Sequence, residues 1–218
     1  MNKLTFKKIL SEWLIFLVYA VFFILISTWI IDLINKPRGK ETISIFLTSY
    51  EADTNSLYNE LKEVSPEYLR EIDLKQYRLD DQYFNTFYQA IALGNSDIVI
   101  IPESYLNDSL GITFMALDME YISEYTGLTF DESDLFTSYD HTFAIKIYDK
   151  DEGKSNEFIK FFKEDFPETE DIDESVNESY YIVFYKKSVH LGKMTESEST
   201  LALDYLKVFL NYEKNEGS

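Results

Sequence analysis

Residues 42–101 read TISIFLTSY EADTNSLYNE LKEVSPEYLR EIDLKQYRLD DQYFNTFYQA IALGNSDIVII, and the alternation within them decides the fold. The β-branched, apolar run Thr42 to Thr48 reads as a strand. Asp53 is placed as the N-cap of a helix that turns Leu57, Leu61 and Val64 inward, at spacings of four and three. Ser65-Pro66 starts a short turn with Pro at a first helical position. Ile72, Leu74 and Leu79 mark a second strand. Asp80 or Asp81 then caps a helix with Phe84, Phe87, Tyr88 and Ile91 on one stripe, and Gly94 is expected to end it in the left-handed conformation. Asp97 to Ile101 is almost purely apolar, as a strand covered on both faces is. This order makes two βαβ units, so the sheet is expected to be parallel with helices on both faces.

Downstream the rhythm loosens. Phe114 to Leu117 reads as a short strand, Met119 to Tyr125 as a helical turn closed by Gly127, and Asp131 to Asp140 as a polar loop. Thr142 to Tyr148 places Phe143, Ile145 and Ile147 on one face of a half-buried strand. Ser155 is read as the cap of a helix bearing Phe158, Phe162 and Phe166, and the acidic run 164–178 as a solvated loop. Tyr180 to Tyr185 is a strand. Thr195 and Glu198 form a capping box ahead of a last helix with Leu201, Tyr205, Val208 and Phe209 inward.

Upstream, Trp13 to Ile31 (WLIFLVYAVFFILISTWII) has no charge, Gly or Pro. At about 1.5 Å per residue such a run matches the roughly 30 Å hydrocarbon core of a bilayer, with Trp13 and Trp29 near its ends. A buried core helix is normally amphipathic, and a cleaved leader has a shorter apolar region followed by a small-x-small site. A single transmembrane anchor at 13–34 is therefore expected, between a short cytoplasmic tail (1–12) and a linker (35–41). Lys3, Lys7 and Lys8 on one flank nearly balance Lys36, Arg38 and Lys40 on the other. Residues 1–40 hold 6 of the 20 Lys/Arg and 2 of the 39 Asp/Glu, so 41–218 hold 14 and 37, a net of −23. The domain is expected outside the cytoplasm, at the cell membrane, and the asymmetry is consistent with that side.

The acidity argues against nucleic acid as a partner. With no cysteine, disulfides, thiolate metal sites and thiol catalysis are excluded. His141 and His190 lack ligand spacing and read as surface or strand-edge positions. Asp149 to Gly153 resembles the start of a calcium loop, but Gly falls one place early and Lys160 stands where Glu is required; it reads as a turn. No nucleophile–base pair or phosphate loop is present. The expectation is a non-enzyme without cofactor or metal.

In open parallel sheets ligands sit beyond the carboxyl ends of strands where strand order reverses. With the first strand central, that crevice is bordered by Thr48-Ser49-Tyr50-Glu51 and Pro102-Glu103-Ser104-Tyr105. The candidate ligand contacts are hydrogen bonds from Thr48, Ser49, Glu103 and Ser104 and stacking by Tyr50 and Tyr105. The plainer alternative is that the second loop only turns the chain and packs a ring.

Ser96-Asp-Ile-Val-Ile-Ile-Pro-Glu-Ser-Tyr105, with the opening βαβαβ, resembles the first lobe of bacterial extracellular solute-binding proteins of the type 2 periplasmic kind. Tyr180 to Tyr185, Lys186-Lys187-Ser188 and the helix Leu201 to Leu210 are similar to that family's closing part. The resemblance covers 42–107 and 179–212. It departs from the family in having a spanning anchor and no lipobox cysteine, and in leaving little chain for the second lobe. It implies a reduced type 2 periplasmic-binding-like domain over 42–218, with a main lobe at 42–118 and 179–212 and a small second α/β lobe at 119–178. The expected function is capture of a small molecule or peptide, with a transporter permease as a possible partner. The alternative is an accessory subunit of a transporter or envelope complex that binds protein instead.

Overall fold

The computed structural model describes residues 3–35, 39–152, 156–161 and 178–211; within the first helix, side chains are described at 13 and 15–31. Two units result, Met1–Arg38 and Gly39–Ser218. The first is helix α1 (Lys3–Asn35). Its apolar side chains are exposed, Phe16 at 78% and Trp13 at 72%, and Thr28 returns its hydroxyl to the carbonyls of Ile24 and Leu25 at 3.0 and 2.9 Å. Among the described residues no helix is long and apolar enough to cross a membrane. The anchor expected at 13–34 is therefore not established by the fold.

In the second unit β1 (Thr42–Thr48), β2 (Glu51–Ala52), α2 (Thr54–Glu63), β3 (Glu71–Tyr77), α3 (Phe84–Phe87), α4 (Leu93–Asn95) and β4 (Ile98–Pro102) come in order. Then come α5 (Leu110–Thr113), α6 (Met119–Thr126), β5 (Leu135–Ser138), β6 (His141–Tyr148), β7 (Ile159–Lys160), β8 (Tyr180–Phe184) and α7 (Leu201–Phe209). Six strands make one sheet in the order β3-β1-β4-β8-β6-β5, and β2 and β7 form a two-stranded ladder apart from it. β1 runs parallel to both β3 and β4, whereas β8, β6 and β5 pair antiparallel. The sheet is thus mixed. The strands at 141–148 and 180–184 join it, and β5 and β6, from the stretch read as a small lobe, extend the same sheet.

Alternation along the central strands buries both faces. Ile43, Ile45, Leu47, Ile98, Ile100, Ile182 and Phe184 face one core with Leu57 and Leu61 of α2 and the inner side of α7. Phe46, Val99, Ile101, Tyr181 and Val183 face the other with Phe84, Ala92 and Leu110. Asp97, just before β4, ties it to both neighbours: its carboxylate accepts from the Ser44 amide of β1 at 2.9 Å, and its carbonyl from the amide of Tyr185, which follows β8, at 2.9 Å.

Several local expectations are corrected. Asp53 does cap α2, accepting from the Ser56 amide at 3.1 Å, but Val64 ends the helix exposed. The second crossover is α3 and α4 joined by a π turn, Tyr88–Ala92, and Gly94 lies inside α4 without a positive φ. The polar run 131–140 forms a 3-10 turn, then β5, then a two-residue hairpin in which Tyr139 (φ 48°) and Asp140 (φ 61°) are both left-handed. That is the twist a tight hairpin needs, built here without glycine. The register shifts between Phe136 and Thr137, and Phe143 opposite faces the second core while Ile145 and Ile147 face the first. Residues 156–161 are a turn and β7 instead of helix; Ser155, Phe162 and Phe166, and the acidic run up to 177, lie outside the described residues. Thr195 closes a 3-10 turn, and α7 begins after Thr200, so the Thr195/Glu198 capping box does not start it.

Candidate functional site

The chain leaves β1 for β3 on one side and then crosses to β4 on the other, so strand order reverses between β1 and β4. Leu47 pairs with Ile100, which sets the two loops anticipated from the sequence side by side at the strands' carboxyl ends.

Thr48 and Ser49 are 0% and 1% exposed, and neither hydroxyl has a hydrogen-bond partner among the described residues. The Ser49 amide donates to the Tyr77 carbonyl at 3.1 Å, which fixes the turn out of β1. The Tyr50 amide donates to the Lys160 carbonyl at 2.9 Å, and the Arg78 guanidinium lies 4.5 Å over the Tyr50 ring. Asp80 holds that guanidinium by two hydrogen bonds, 2.9 and 2.5 Å, and this bond is the main cause that raises the Arg78 pKa further.

The second loop is a single 3-10 turn, Glu103–Tyr105. Glu103 is exposed, and its amide donates to the Ser179 carbonyl at 2.8 Å. Ser104 gives both its amide (2.7 Å) and its hydroxyl (3.0 Å) to the Glu178 carboxylate. Tyr105 donates to Asn85 Oδ1 at 2.5 Å and stands edge-on to Phe84 and Tyr88, with ring centroids 5.4 and 4.9 Å apart. Burial pushes the Tyr88 phenol up to about 12 and raises that of Tyr105. Of the six candidate residues, then, Thr48 and Ser49 keep unused hydrogen-bonding capacity, while Tyr50, Ser104 and Tyr105 already have partners within the chain.

A strap formed by 156–161 adjoins the end of β1. Asn156 is buried and donates to the Val208 carbonyl at 2.8 Å while accepting from the Phe158 amide at 3.0 Å. The Phe158 carbonyl accepts from the Asp53 amide at 2.9 Å, β7 pairs antiparallel with β2, and Phe161 stacks on Tyr148 (5.0 Å) and tilts against Tyr180 (4.7 Å). Sequence reasoning missed this strap, along with Glu178, Asn85 and Arg78. The strap, Glu178 and Asn85 carry no motif and act through partners elsewhere in the chain; Arg78-x-Asp80, a cation two residues from a carboxylate after a strand end, leaves a readable trace.

Neither histidine is at this site. His190 is fully buried, which corrects the surface or edge position expected for it. Its Nε2, 2.7 Å from the Thr42 carbonyl, donates to it, and its Nδ1 lies 2.9 Å from the Ser199 hydroxyl. His141 is exposed, edge-on to Phe143. Asp149 accepts from the Asp151 amide at 2.8 Å, and its hydrogen bond from Lys146 holds its carboxyl below the usual range; residues 150–152 of the calcium-like motif form a turn, and Gly153 lies outside the described residues.

No family model and no curated protein matches the chain. Among solved structures it is similar, with 13% identity and a TM-score of 0.34, to the N-glycan transport solute binding protein from Streptococcus pneumoniae, solved in complex with Man1GlcNAc. The match covers 53% of this chain and 26% of that one. This chain spans about a quarter of that protein, whose sugar says nothing about the ligand here.

Proposed function

We propose that the Gly39–Ser218 unit is a non-catalytic binding module that captures a small polar molecule or peptide at the β1/β4 switch point. The observation that carries this reading is the pair of buried, unpartnered hydroxyls on Thr48 and Ser49. A buried hydroxyl without a partner costs about 1–3 kcal/mol, and here two such groups stand at the end of a parallel strand where ligands of α/β sheets bind. Glu103, exposed on the loop that follows β4, and the rings of Tyr50 and Tyr105 would border the ligand. α1 is the membrane anchor in this proposal, because its exposed apolar side chains call for a lipid environment. The module lies outside the cytoplasm and hands its ligand to a transporter permease.

A second reading has its own support. Ser104 is already held by Glu178, and Tyr105 by Asn85, as expected if the module has lost its solute and serves as an accessory subunit bound to protein. Thermal unfolding of the full chain in mild detergent, against a panel of amino acids, peptides and sugars, separates the two. A rise of several degrees with one chemical class supports solute capture; a cooperative melt that no compound moves rejects it.

A further inference from the structure

Away from the switch point, α6 and the 3-10 turn Gly192–Thr195 enclose an open groove of about 310 Å³. Its volume is at the low end for small-molecule sites, so it admits one or two side chains more readily than a whole metabolite. Met115 and Met194 line it, and Met119 on the same helix packs against the core behind them. Of the chain's 4 methionines, all but Met1 are gathered here. Thioethers are unbranched, polarisable and tolerant of different shapes, which suits a surface that must fit a partner's side chain.

The groove's aromatic wall is fixed tightly. Gly192 sits at φ +58°, and a Cβ there would come within 2.4 Å of the Tyr121 hydroxyl, so glycine lets the turn lie directly under that ring. The Lys193 ammonium is 5.4 Å from the centroid of the same ring: a cation of the chain itself occupies its face. Glu120 and Glu124, one helical turn apart, line the rim, exposed and without a partner among the described residues. Asp118, the remaining acid, is committed to capping α6 through the Tyr121 amide at 3.0 Å.

From this we infer that the Met115–Tyr121–Met194 groove docks a basic amphipathic segment of a protein partner. An apolar anchor enters between the methionines, and Lys or Arg side chains meet Glu120 and Glu124 while displacing Lys193 from the Tyr121 face. This is the helix-in-groove mode, with charge complementarity selecting the partner. The inference is independent of the switch point.

The test is titration of the full chain, held in zwitterionic nanodiscs, with a fluorescent Leu/Lys model helix; a Leu/Glu helix serves as control. Saturable binding of the basic helix is expected. Glu120→Gln/Glu124→Gln should weaken it about fivefold or more, as two rim contacts of this kind would, and Lys193→Ala should tighten it. Glu63→Gln/Glu157→Gln, an exposed pair elsewhere, should change it less than about twofold. Equal weakening by both pairs would mean diffuse attraction to an acidic protein and would overturn the inference, as would no saturable binding, or tight binding of the Leu/Glu helix.

Discussion

His190 has both ring nitrogens engaged, Nε2 by the first residue of β1 and Nδ1 by Ser199, the residue before the Thr200 N-cap of α7. Replacing it with Leu removes both hydrogen bonds from a fully buried side chain, so His190→Leu is expected to lose about 2–4 kcal/mol in a denaturant titration. Tyr88, Tyr148 and Tyr205 are phenols that burial raises from 10.0 to about 12. A raised folded pKa contributes stability that is complete below the unfolded value and lost as pH climbs through the folded one. Unfolding midpoints should therefore hold steady up to about pH 10 and fall steeply toward 12, with phenolate absorbance from these rings appearing together with unfolding. Phe143 marks the limit of reading at this scale. Its alternation with Ile145 and Ile147 is plain in the sequence, yet a one-residue irregularity in the ladder with β5 puts it in the other core, where its ring closes on Gly111. A register shift leaves no periodic signal, because it is a property of two strands and not of one.

At the scale of elements, β1, α2 and β4 are legible because each buries a face regular enough to show its period, whereas the second crossover breaks into α3, a π turn and α4. The Asp53 cap and the fully covered Ile98–Pro102 strand come from patterns in single segments, whereas the place of β1 between β3 and β4 is a matter of topology. The hairpin joining β5 and β6 was not legible, since its two left-handed residues are Tyr139 and Asp140 where Asn-Gly would signal a turn. Substituting Tyr139→Asn with Asp140→Gly is expected to raise the melting temperature by a degree or more, as the strain of two left-handed side chains is relieved. Gly192 is the converse. With φ +58° and the Cβ position 2.8 Å from Thr200 Cγ2 as well as against Tyr121, Gly192→Ala combines backbone strain with overpacking and should cost about 2–4 kcal/mol; an equilibrium unfolding curve checks it. The strap 156–161 escaped notice for a different reason: two residues of strand, held by pairing to β2 and by Asn156 reaching the end of α7, carry no period at all.

For the whole molecule, a sheet that begins parallel and finishes antiparallel explains why the sequence suggested two lobes. The strand–helix rhythm stops at β4, and the rest of the chain returns to the same sheet through β8, β6 and β5 instead of starting another. The site shares this division: its β1 loop was readable from topology, while the groups that occupy Ser104 and Tyr105 come from Glu178 and Asn85, distant in the chain. Because the chain has no cysteine, the proposed placement of the domain outside the cytoplasm is testable with one introduced thiol. Glu67→Cys, exposed in the domain, should react with a membrane-impermeant maleimide in intact cells; labelling only after lysis would reverse the orientation. In the proposed binding module the Thr48 hydroxyl is kept unpartnered for a ligand. Paired melts of wild type and Thr48→Val, each with and without the compound panel, test it most directly. Valine suits the strand and removes a buried unsatisfied hydroxyl, so the free variant should melt about 2–4 °C higher while losing the shift that a compound gives the wild type. A variant that melts lower, or that responds to compounds as the wild type does, would contradict the account.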